Sequence, residues 1–157
     1  MWFRLSRAQF TQAQGEPNRA SLRELVAGGT EPGLLAYAGG RPVGWCAVEP
    51  RAAYPALARS RILAPVDTTP VWSITCFFVA RTARRGGVMA ALLRAAVEHA
   101  AGHGATMVEA YPVEPRSGRM PDAFAYTGLA SAFRDAGFFE VARRGATRPI
   151  MRYAIAR

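Results

Sequence analysis

Apolar and polar positions change their spacing several times along the chain, and these changes predict an alternation of helices and strands. Helical spacing predicts four helices: one over residues 7–14, one that Asn18 caps and Gly28-Gly29 ends, one over Val88–His103 and one over Phe124–Ala136. Apolar runs bounded by Gly and Pro predict strands at Trp2–Leu5, Gly33–Ala38, Pro42–Val48, Val71–Ala80, Ala105–Tyr111, Phe138–Arg143 and Pro149–Ala156. The pattern therefore predicts an α/β chain.

The run Val71–Ala80 is nearly uncharged and rich in β-branched and aromatic residues, as expected for a strand buried on both faces. A basic turn with two glycines, a helix and a second apolar strand, Ala105–Tyr111, follow it. Such a crossover places its two strands side by side and parallel. The segments 49–70 and 112–123 contain several prolines and little periodicity, so we expect long surface loops there.

The length of 157 residues suits one domain, and 50% hydrophobic residues are enough to build its core. We therefore expect a single domain over residues 1–157. No apolar stretch approaches the roughly 20 residues of a membrane span, and the N-terminus lacks the order of a secretion signal. These features predict a soluble, cytoplasmic protein without a membrane partner.

The charge is strongly unbalanced, with 20 basic against 11 acidic residues and a net charge of +9. Every cation is Arg, which binds phosphate and carboxylate with two parallel donors, so the composition favours a phosphate-bearing partner. Biased codon usage explains the preference for Arg over Lys equally well, but it does not explain the deficit of acids. No acid follows Val141, and the Arg residues there predict a basic stripe if they face one side.

The segment from Arg84 to Ala90 contains Gly86 and Gly87 and connects the buried strand to the predicted helix. A helix N-terminus presents unpaired N–H groups and the positive end of the helix dipole. Glycine lets an anion approach such a backbone closely, so the turn is suited to hold a pyrophosphate. Two glycines at a helix start also occur in ordinary connections, and the turn alone does not decide between these readings of its role.

This turn, with CFFVARTARR leading into it and AFRDAGFFEVAR later in the chain, resembles the GNAT superfamily of N-acyltransferases. The acyl-CoA signature of that superfamily is R/Q-x-x-G-x-G/A. Arg84 and Gly87 match its first two fixed positions, and Met89 departs from the third. The resemblance extends over about residues 33–156 in element order. It implies a mixed, mostly antiparallel central sheet with flanking helices and one parallel strand pair that splays apart.

The same resemblance implies that acetyl-CoA or another acyl-CoA is the acyl donor. Its pantetheine would pair with free backbone groups of the central strand, and an N–H near Phe78 and Val79 would polarise the thioester carbonyl. Side chains of Arg81, Arg84 or Arg85 would lie near the outer phosphates. The pyrophosphate would bind the N–H groups of Arg85, Gly86, Gly87, Val88, Met89 and Ala90.

Proton transfer is where the sequence departs furthest from the superfamily. Many relatives carry a Tyr as the acid four residues before a Gly-Phe pair, and here that position is Phe133. Tyr126 and Tyr111 are the remaining candidates for the acid. Glu109 is the preferred candidate for the base because its strand should border the gap between donor and acceptor, and Glu49 is the alternative. Catalysis by positioning alone, with water relaying the proton, stays open.

His99 and His103 have the four-residue spacing that lets two side chains of a helix bind one metal ion, but the pattern contains no third ligand. We therefore predict no metal site. Cys46 and Cys76 lie in apolar runs without CxxC spacing, which argues against a disulfide framework. No His or cation is patterned beside Cys76, so we expect a buried thiol rather than a nucleophile.

The leading hypothesis is an N-acyltransferase that moves an acetyl or other acyl group from a CoA thioester to an amine by direct attack. The acceptor is a small-molecule or peptide amine whose identity no pattern encodes. One alternative keeps the fold but takes the acyl group from aminoacyl-tRNA or a carrier protein, which would suit the net charge and Met89. A second alternative is a non-catalytic ligand-binding member of the family, as the missing Tyr hints. A homodimer is compatible with each.

Overall fold

A six-stranded mixed sheet forms the centre of the molecule in the computed structural model, which describes residues 1–115 and 126–156. Its strands are β1 (Gly33–Ala38), β2 (Arg41–Pro50), β3 (Trp72–Val79), β4 (Met107–Ala110), β5 (Phe139–Gly145) and β6 (Arg148–Ala154). Their order in the sheet is β1-β2-β3-β4-β6-β5. Strands β3 and β4 are parallel, and the other neighbours are antiparallel. The predicted fold class is confirmed.

Five α-helices accompany this sheet in the part of the chain that the structure describes. They are α1 (Arg7–Gln12), α2 (Glu16–Ala27), α3 (Pro55–Arg59), α4 (Val88–Gly102) and α5 (Ala130–Asp135). Two single 3-10 turns, Arg51–Ala53 and Arg81–Ala83, follow β2 and β3. None of these described helices has the length and apolar character needed to cross a lipid bilayer.

The main core lies between the sheet and α4, the crossover helix between β3 and β4. Leu93 of α4 is almost fully buried and belongs to one cluster with Val48 of β2 and Ile74 of β3. Gly44 of β2 lets the helix come close, since a Cβ built there would lie 2.8 Å from Cγ1 of Val88. This contact holds the N-terminal end of α4 against the sheet.

The N-terminal segment differs from the prediction in two places. Trp2–Leu5 forms a turn rather than a strand, because its last two N–H groups bond back to the carbonyl of Met1. Helix α2 begins after Gly15, whose φ is 86°, and Asn18 lies inside the helix rather than at its cap. Pro17 is well placed in the first helical turn, where its missing N–H leaves nothing unpaired. The side chain of Asn18 instead donates to a carbonyl of α1.

The segment between β2 and β3 is more structured than its composition suggests. Strand β2 continues to Pro50, and a 3-10 turn and α3 follow it. Tyr54, Leu57 and Leu63 are buried in a second, smaller cluster. The prediction of a long surface loop over residues 49–70 is therefore wrong in part, because three apolar side chains anchor this segment to the sheet.

The remaining predicted elements agree with the structure to within two residues at each end, apart from the last helix. The helix predicted over Phe124–Ala136 begins at Ala130 among the described residues, after Gly128 with a φ of 83°. Residues 124 and 125 lie outside the described part of the chain. The left-handed backbone at Gly128 separates α5 from the residues before it.

Strands β3 and β4 diverge, and their divergence opens the sheet. Their parallel pairing ends at Ile74 and Ala110, where β4 also ends. Strand β3 continues to Val79, so its second half has no strand beside it on that side among the described residues. There the N–H of Phe77 donates instead to the carbonyl of Tyr126 at 2.6 Å. The predicted splayed parallel pair is present.

Candidate active site

The wedge between the diverging strands leads into a cavity of about 750 Å³. The end of β3, the turn into α4 and the region around α5 form its sides. No Asp or Glu is among the described lining residues, so its charge comes from two Arg side chains and from the backbone. The described lining residues are Phe77, Phe78, Val79, Ala83, Arg84, Arg85, Gly87, Val88, Met89, Ala90, Tyr126, Gly128, Leu129 and Ala132.

The turn from β3 into α4 presents backbone N–H groups to this cavity. Arg85 has a φ of 62° and Gly87 a φ of 75°, and Gly87 caps α4 without a side-chain hydrogen bond. The first N–H groups of an α-helix, here those of Val88, Met89 and Ala90, have no partner inside the helix. The positive end of the dipole of a 15-residue helix adds to them, so this side of the cavity attracts an anion.

The N–H groups of β3 alternate between the wedge and β2. Phe77 donates across the wedge, whereas Ala80 donates toward β2 at 2.8 Å. The N–H of Val79 therefore points into the wedge, and that of Phe78 points toward β2. The sequence predicted a polarising N–H near these two residues, and the alternation selects Val79.

Two Arg side chains stand beside the backbone donors. The Nε of Arg84 donates to the carbonyl of Val79 at 3.2 Å, so this side chain follows the turn back to β3. Arg85 is exposed and lines the same cavity. Arg81, the third predicted phosphate ligand, is not among the described lining residues. The cavity thus combines two guanidinium groups with the helix start, a combination suited to phosphate groups.

Most of the residues predicted to hold an acyl donor come together in this cavity. Gly86 is the exception, and a Cβ built there would lie 3.2 Å from the carbonyl oxygen of Ala83, within the turn itself. The role of these residues in binding stays a prediction. The predicted residues that line the cavity are Phe78, Val79, Arg84, Arg85, Gly87, Val88, Met89 and Ala90.

Met89 departs from the signature, and the structure shows where its side chain goes. Its Cε lies 2.6 Å from the position of a Cβ built on Gly128, so the side chain extends from the turn toward the residues before α5. A glycine at position 128 leaves the room that the longer Met side chain occupies. Sequence reasoning missed this pair, because nothing in the local pattern relates Gly128 to a residue of α4.

Tyr126 borders three separate cavities. It lines the main cavity and two smaller ones, of about 280 and 120 Å³, which Trp2 and Phe3 also line. Its carbonyl accepts the N–H of Phe77, so its backbone is held against β3. Of the three predicted catalytic residues, Tyr126 is the one that lines the main cavity.

Glu109 and Tyr111 lie in a buried network and are not among the described residues that line the main cavity. Oε1 of Glu109 accepts from Arg51 and from the Tyr111 hydroxyl, each at 2.7 Å, and Oε2 accepts from Arg152 at 2.8 Å. The Tyr111 hydroxyl also bonds to Ser73 at 2.8 Å. Their catalytic roles stay predictions, and these bonds give both residues a structural role that the sequence did not reveal.

The same network makes the Tyr111 hydroxyl a poorer proton donor. Burial, and then the negative charge of Glu109, raise the pKa of the Tyr111 hydroxyl well above its ordinary value of 10. A hydroxyl with a raised pKa is a weaker acid toward a thiolate. Arg152 continues the network to Asp67, with bonds of 2.6 and 3.0 Å, and holds the pKa of that carboxyl below its ordinary range. The network therefore ties the segment between β2 and β3 to β4 and β6.

Glu49, the alternative base, is also buried away from the main cavity. It is 6% exposed, is not among the described lining residues, and forms an ion pair with Arg4. The Arg4 guanidinium lies 4.9 Å from the centre of the Tyr54 ring. Burial raises the pKa of Tyr54 to about 12, so its hydroxyl stays protonated at neutral pH.

Phe133 has the packed environment expected of it, whereas Cys76 is half-buried rather than buried and lines the smallest of the three cavities. Phe133 is fully buried, with its ring centre 6.0 Å from that of Phe77 and 5.1 Å from that of Phe138. Burial raises the pKa of the Cys76 thiol, which opposes formation of the nucleophilic thiolate. Cys46, in contrast, is fully buried, and both thiols are free.

The two histidines have a neighbour that the sequence pattern did not contain. A carboxylate oxygen of Glu31 lies 3.7 Å from Nε2 of His99 and 3.7 Å from Nε2 of His103. Glu31 follows α2, whereas both histidines belong to the C-terminal end of α4. Tertiary packing thus supplies a third potential ligand to a pair that lacked one in the sequence.

A family model described as the acetyltransferase (GNAT) family matches residues 1–120 of this chain. The chain belongs to the GNAT acetyltransferase family. The matched range contains the splayed strand pair, the turn after β3 and helix α4. The resemblance drawn from the turn motif is thereby confirmed. The cavity lies at the turn that carries this motif, directly before α4.

Solved structures of similar fold include further acetyltransferases. The ribosomal-protein-alanine N-acetyltransferase of Brucella melitensis has 19% identity and a TM-score of 0.57, and the match covers 89% of this chain and 78% of that one. The ribosomal-protein-S18-alanine N-acetyltransferase of Escherichia coli has 14% identity and a TM-score of 0.53, with coverages of 86% and 77%. A GNAT-family acetyltransferase of Streptococcus agalactiae has 13% identity and a TM-score of 0.58, with coverages of 95% and 79%. These likenesses support the shared GNAT fold. No curated protein matches the sequence.

Proposed function

We propose that this GNAT-family chain transfers an acetyl group from acetyl-CoA to the nitrogen of an amine. The observation that carries the proposal is that the Val79 N–H and the N–H groups at the start of α4 face one cavity. An acyl-CoA has a thioester carbonyl at one end and a pyrophosphate further along, and these two sets of donors suit those two groups.

Residues of the turn hold the phosphate part of the donor. The N–H groups of Val88, Met89 and Ala90 bind the pyrophosphate, and Arg84 and Arg85 neutralise its charge. Because the cavity has no acidic side chain among its described lining residues, nothing there opposes the binding of an anion. Those backbone groups of β3 that face the wedge and are not already bonded to Tyr126 or Arg84 pair with the amide groups of pantetheine, as a short added strand would.

Val79 acts on the reacting carbonyl. The amine nitrogen attacks the carbonyl carbon, a C–N bond forms and the C–S bond breaks, and the carbonyl oxygen carries negative charge on the way. The Val79 N–H donates a hydrogen bond to that oxygen, a contact that stabilises the transition state more than the ground state. Loss of one such donor typically lowers kcat by about 100-fold to 1,000-fold.

Tyr126 is the proposed acid. It lines the main cavity, and its hydroxyl protonates the departing thiolate, whose conjugate thiol has a pKa of about 8.5. Water accepts the proton of the attacking amine, because both oxygens of Glu109 are engaged by Arg51, Tyr111 and Arg152. Positioning of the amine beside the carbonyl supplies the rest of the rate increase.

The acceptor enters from the side of the two smaller cavities, which share Tyr126 with the main one. Trp2 and Phe3 line both of these cavities, and their apolar surface suits the body of a small amine or the first residues of a peptide. Two structures of similar fold are ribosomal-protein alanine N-acetyltransferases. Peptides with N-terminal Ala are therefore the first acceptors to assay, together with small primary amines.

A donor carried on tRNA has less support in the side-chain contacts. The described Arg residues after Val141 bond within the molecule, with Glu140, with backbone carbonyls, and with the network of Glu109. Cations that are already paired contribute less to binding a phosphate backbone. Acetyl-CoA is accordingly the donor that we propose.

The experiment compares Val79→Pro with Val79→Ala. Proline removes the N–H that faces the wedge and spares the ladder to β2, whereas alanine shortens the same side chain and keeps the N–H. We expect acetyl-CoA to bind the wild type at micromolar concentration, with thiol release in the presence of an acceptor amine. Val79→Pro should lose at least 100-fold in kcat, and Val79→Ala less than tenfold. Absence of acetyl-CoA binding by the wild type in calorimetry contradicts the proposal, whatever the folding of the variants.

A further inference from the structure

A cluster of one carboxylate and two imidazoles lies at the end of α4 that is remote from the turn. His99 and His103 are one helical turn apart, and Glu31 reaches them from the loop between α2 and β1. The three ligand atoms all lie within 4.8 Å of one another. None of the three residues lines the main cavity, so the cluster is separate from the proposed active site.

A hydrogen bond within α4 determines which nitrogen of His103 faces Glu31. Nδ1 of His103 lies 2.9 Å from the carbonyl oxygen of His99, and a carbonyl only accepts, so Nδ1 carries the proton. The neutral ring therefore has its lone pair on Nε2, the atom that faces Glu31. A bond from the other ring nitrogen to a backbone carbonyl is the usual support of a metal-binding His.

His99 also presents a ring nitrogen to the cluster, on a different observation. Its Nε2 is buried and has no hydrogen-bond partner among the described residues, while its whole side chain is 15% exposed. A buried ring nitrogen without a hydrogen-bond partner is open to a ligand that reaches it.

Trp72 of β3 orients both rings. Its ring centre is 5.5 Å from that of His99, nearly perpendicular to it, and 5.1 Å from that of His103. Rings packed against an indole keep their rotamers, so little freedom is lost when a third group binds between them.

We propose that Glu31, His99 and His103 form a binding site for one divalent transition metal ion of the Zn²⁺ class, with water completing the coordination. Bonds of about 2.1 Å to a tetrahedral ion separate the ligand atoms by about 3.4 Å. The two distances of 3.7 Å from Glu31 to the imidazoles need only small side-chain adjustments to reach this value. Two imidazoles with one carboxylate select Zn²⁺, Ni²⁺ or Cu²⁺ over Mg²⁺ and Ca²⁺. A bound ion ties the loop before β1 to the end of α4.

The test is calorimetric titration of the untagged, EDTA-treated chain with ZnCl₂. The chain contains 2 His in total, so no other imidazole contributes to binding. We expect one Zn²⁺ per chain and at least a tenfold weaker Kd in Glu31→Gln and in His103→Gln. Glu98→Gln removes the same charge from an exposed site on α4 outside the cluster, and it should bind as the wild type does.

Fluorescence gives a second readout that does not depend on heat or activity. One equivalent of Cu²⁺ should quench the emission of Trp72, and Trp72→Phe should lose the larger part of that quenching. His103 is 47% exposed, so its substitution leaves the fold intact, which a thermal melt verifies. Two results overturn the proposal: no saturable Zn²⁺ binding by the wild type, or equal Zn²⁺ affinity in the wild type and in both cluster variants.

Discussion

Glu109 allows a direct test of whether its buried network serves stability or proton transfer. The substitution Glu109→Gln keeps the size of the side chain but removes its charge. The amide nitrogen would then face another donor, the Nε of Arg152 or the Nη1 of Arg51. Glu109 is 1% exposed, so water does not replace the lost acceptor.

The expected loss of unfolding free energy depends on which hydrogen bonds Arg51 and Arg152 retain in the variant. Breaking a buried ion pair by removing one partner costs about 3–5 kcal/mol. Arg152 keeps its two bonds to Asp67, and Arg51 keeps its bond to the carbonyl of Leu63. We therefore expect the lower end, about 3 kcal/mol of unfolding free energy. For a chain of this size that corresponds to a fall in Tm of about 6–12 °C.

Urea unfolding at neutral pH measures the loss, and steady-state kinetics below the new Tm measures the rate. Because water is the proposed proton acceptor, kcat should change less than threefold in the folded variant. Glu140→Gln is the matched control, since its carboxylate pairs with Arg143 at the surface and should affect stability little. A Glu109→Gln protein with unchanged Tm and a kcat reduced more than 100-fold would identify Glu109 as the base and refute this reasoning.

Three further predictions test other parts of the molecule. Tyr126→Phe should lower kcat at least tenfold and leave the affinity for acetyl-CoA nearly unchanged. Tyr111 lies outside the main cavity, so Tyr111→Phe should lower Tm more than kcat. The reverse pattern would exchange the roles of the two residues. Gly44→Ala should cost about 1–3 kcal/mol in urea unfolding, because its Cβ would lie 2.8 Å from Val88, and Val88→Ala in the same chain should restore part of it; additive losses would contradict the contact. Burial lowers the pKa of His99 below 6.5, so the unfolded chain binds more protons than the folded chain at mildly acidic pH. The Tm measured in EDTA should therefore fall as the pH drops below about 6.5. The variant His99→Gln should flatten this fall, and an unchanged slope would contradict the role of His99.

Local patterns were sufficient to predict most of the fold. The uncharged run that became β3 and the glycine-bearing turn before α4 are short-range features, and both lie where the pattern predicted them. Trp2–Leu5 has the composition of a strand but not the partner that a strand needs, and its N–H groups bond back to Met1 instead. Asn18 is a good N-cap residue, yet Pro17 belongs inside the helix, and capping passed to Gly15.

The donor-binding part of the candidate site was easier to predict from the sequence than its candidates for proton transfer. The residues predicted to bind the phosphates and the carbonyl of a donor lie in one continuous segment from β3 to α4, so their spacing in the sequence already relates them in space. The candidates for proton transfer come from separate segments, and the sequence had no means of distinguishing Tyr126, which lines the cavity, from Tyr111, which does not.

By itself the sequence determined most of the order of elements, the parallel crossover and the glycine-bearing turn before α4, because periodicity and glycine conformation act over a few residues. Only the tertiary structure decided that Glu109 is enclosed by Arg51 and Arg152, and that Glu31 meets His99 and His103. Those contacts join residues far apart in the chain, and their geometry is set by how helices and strands pack, which no local pattern encodes.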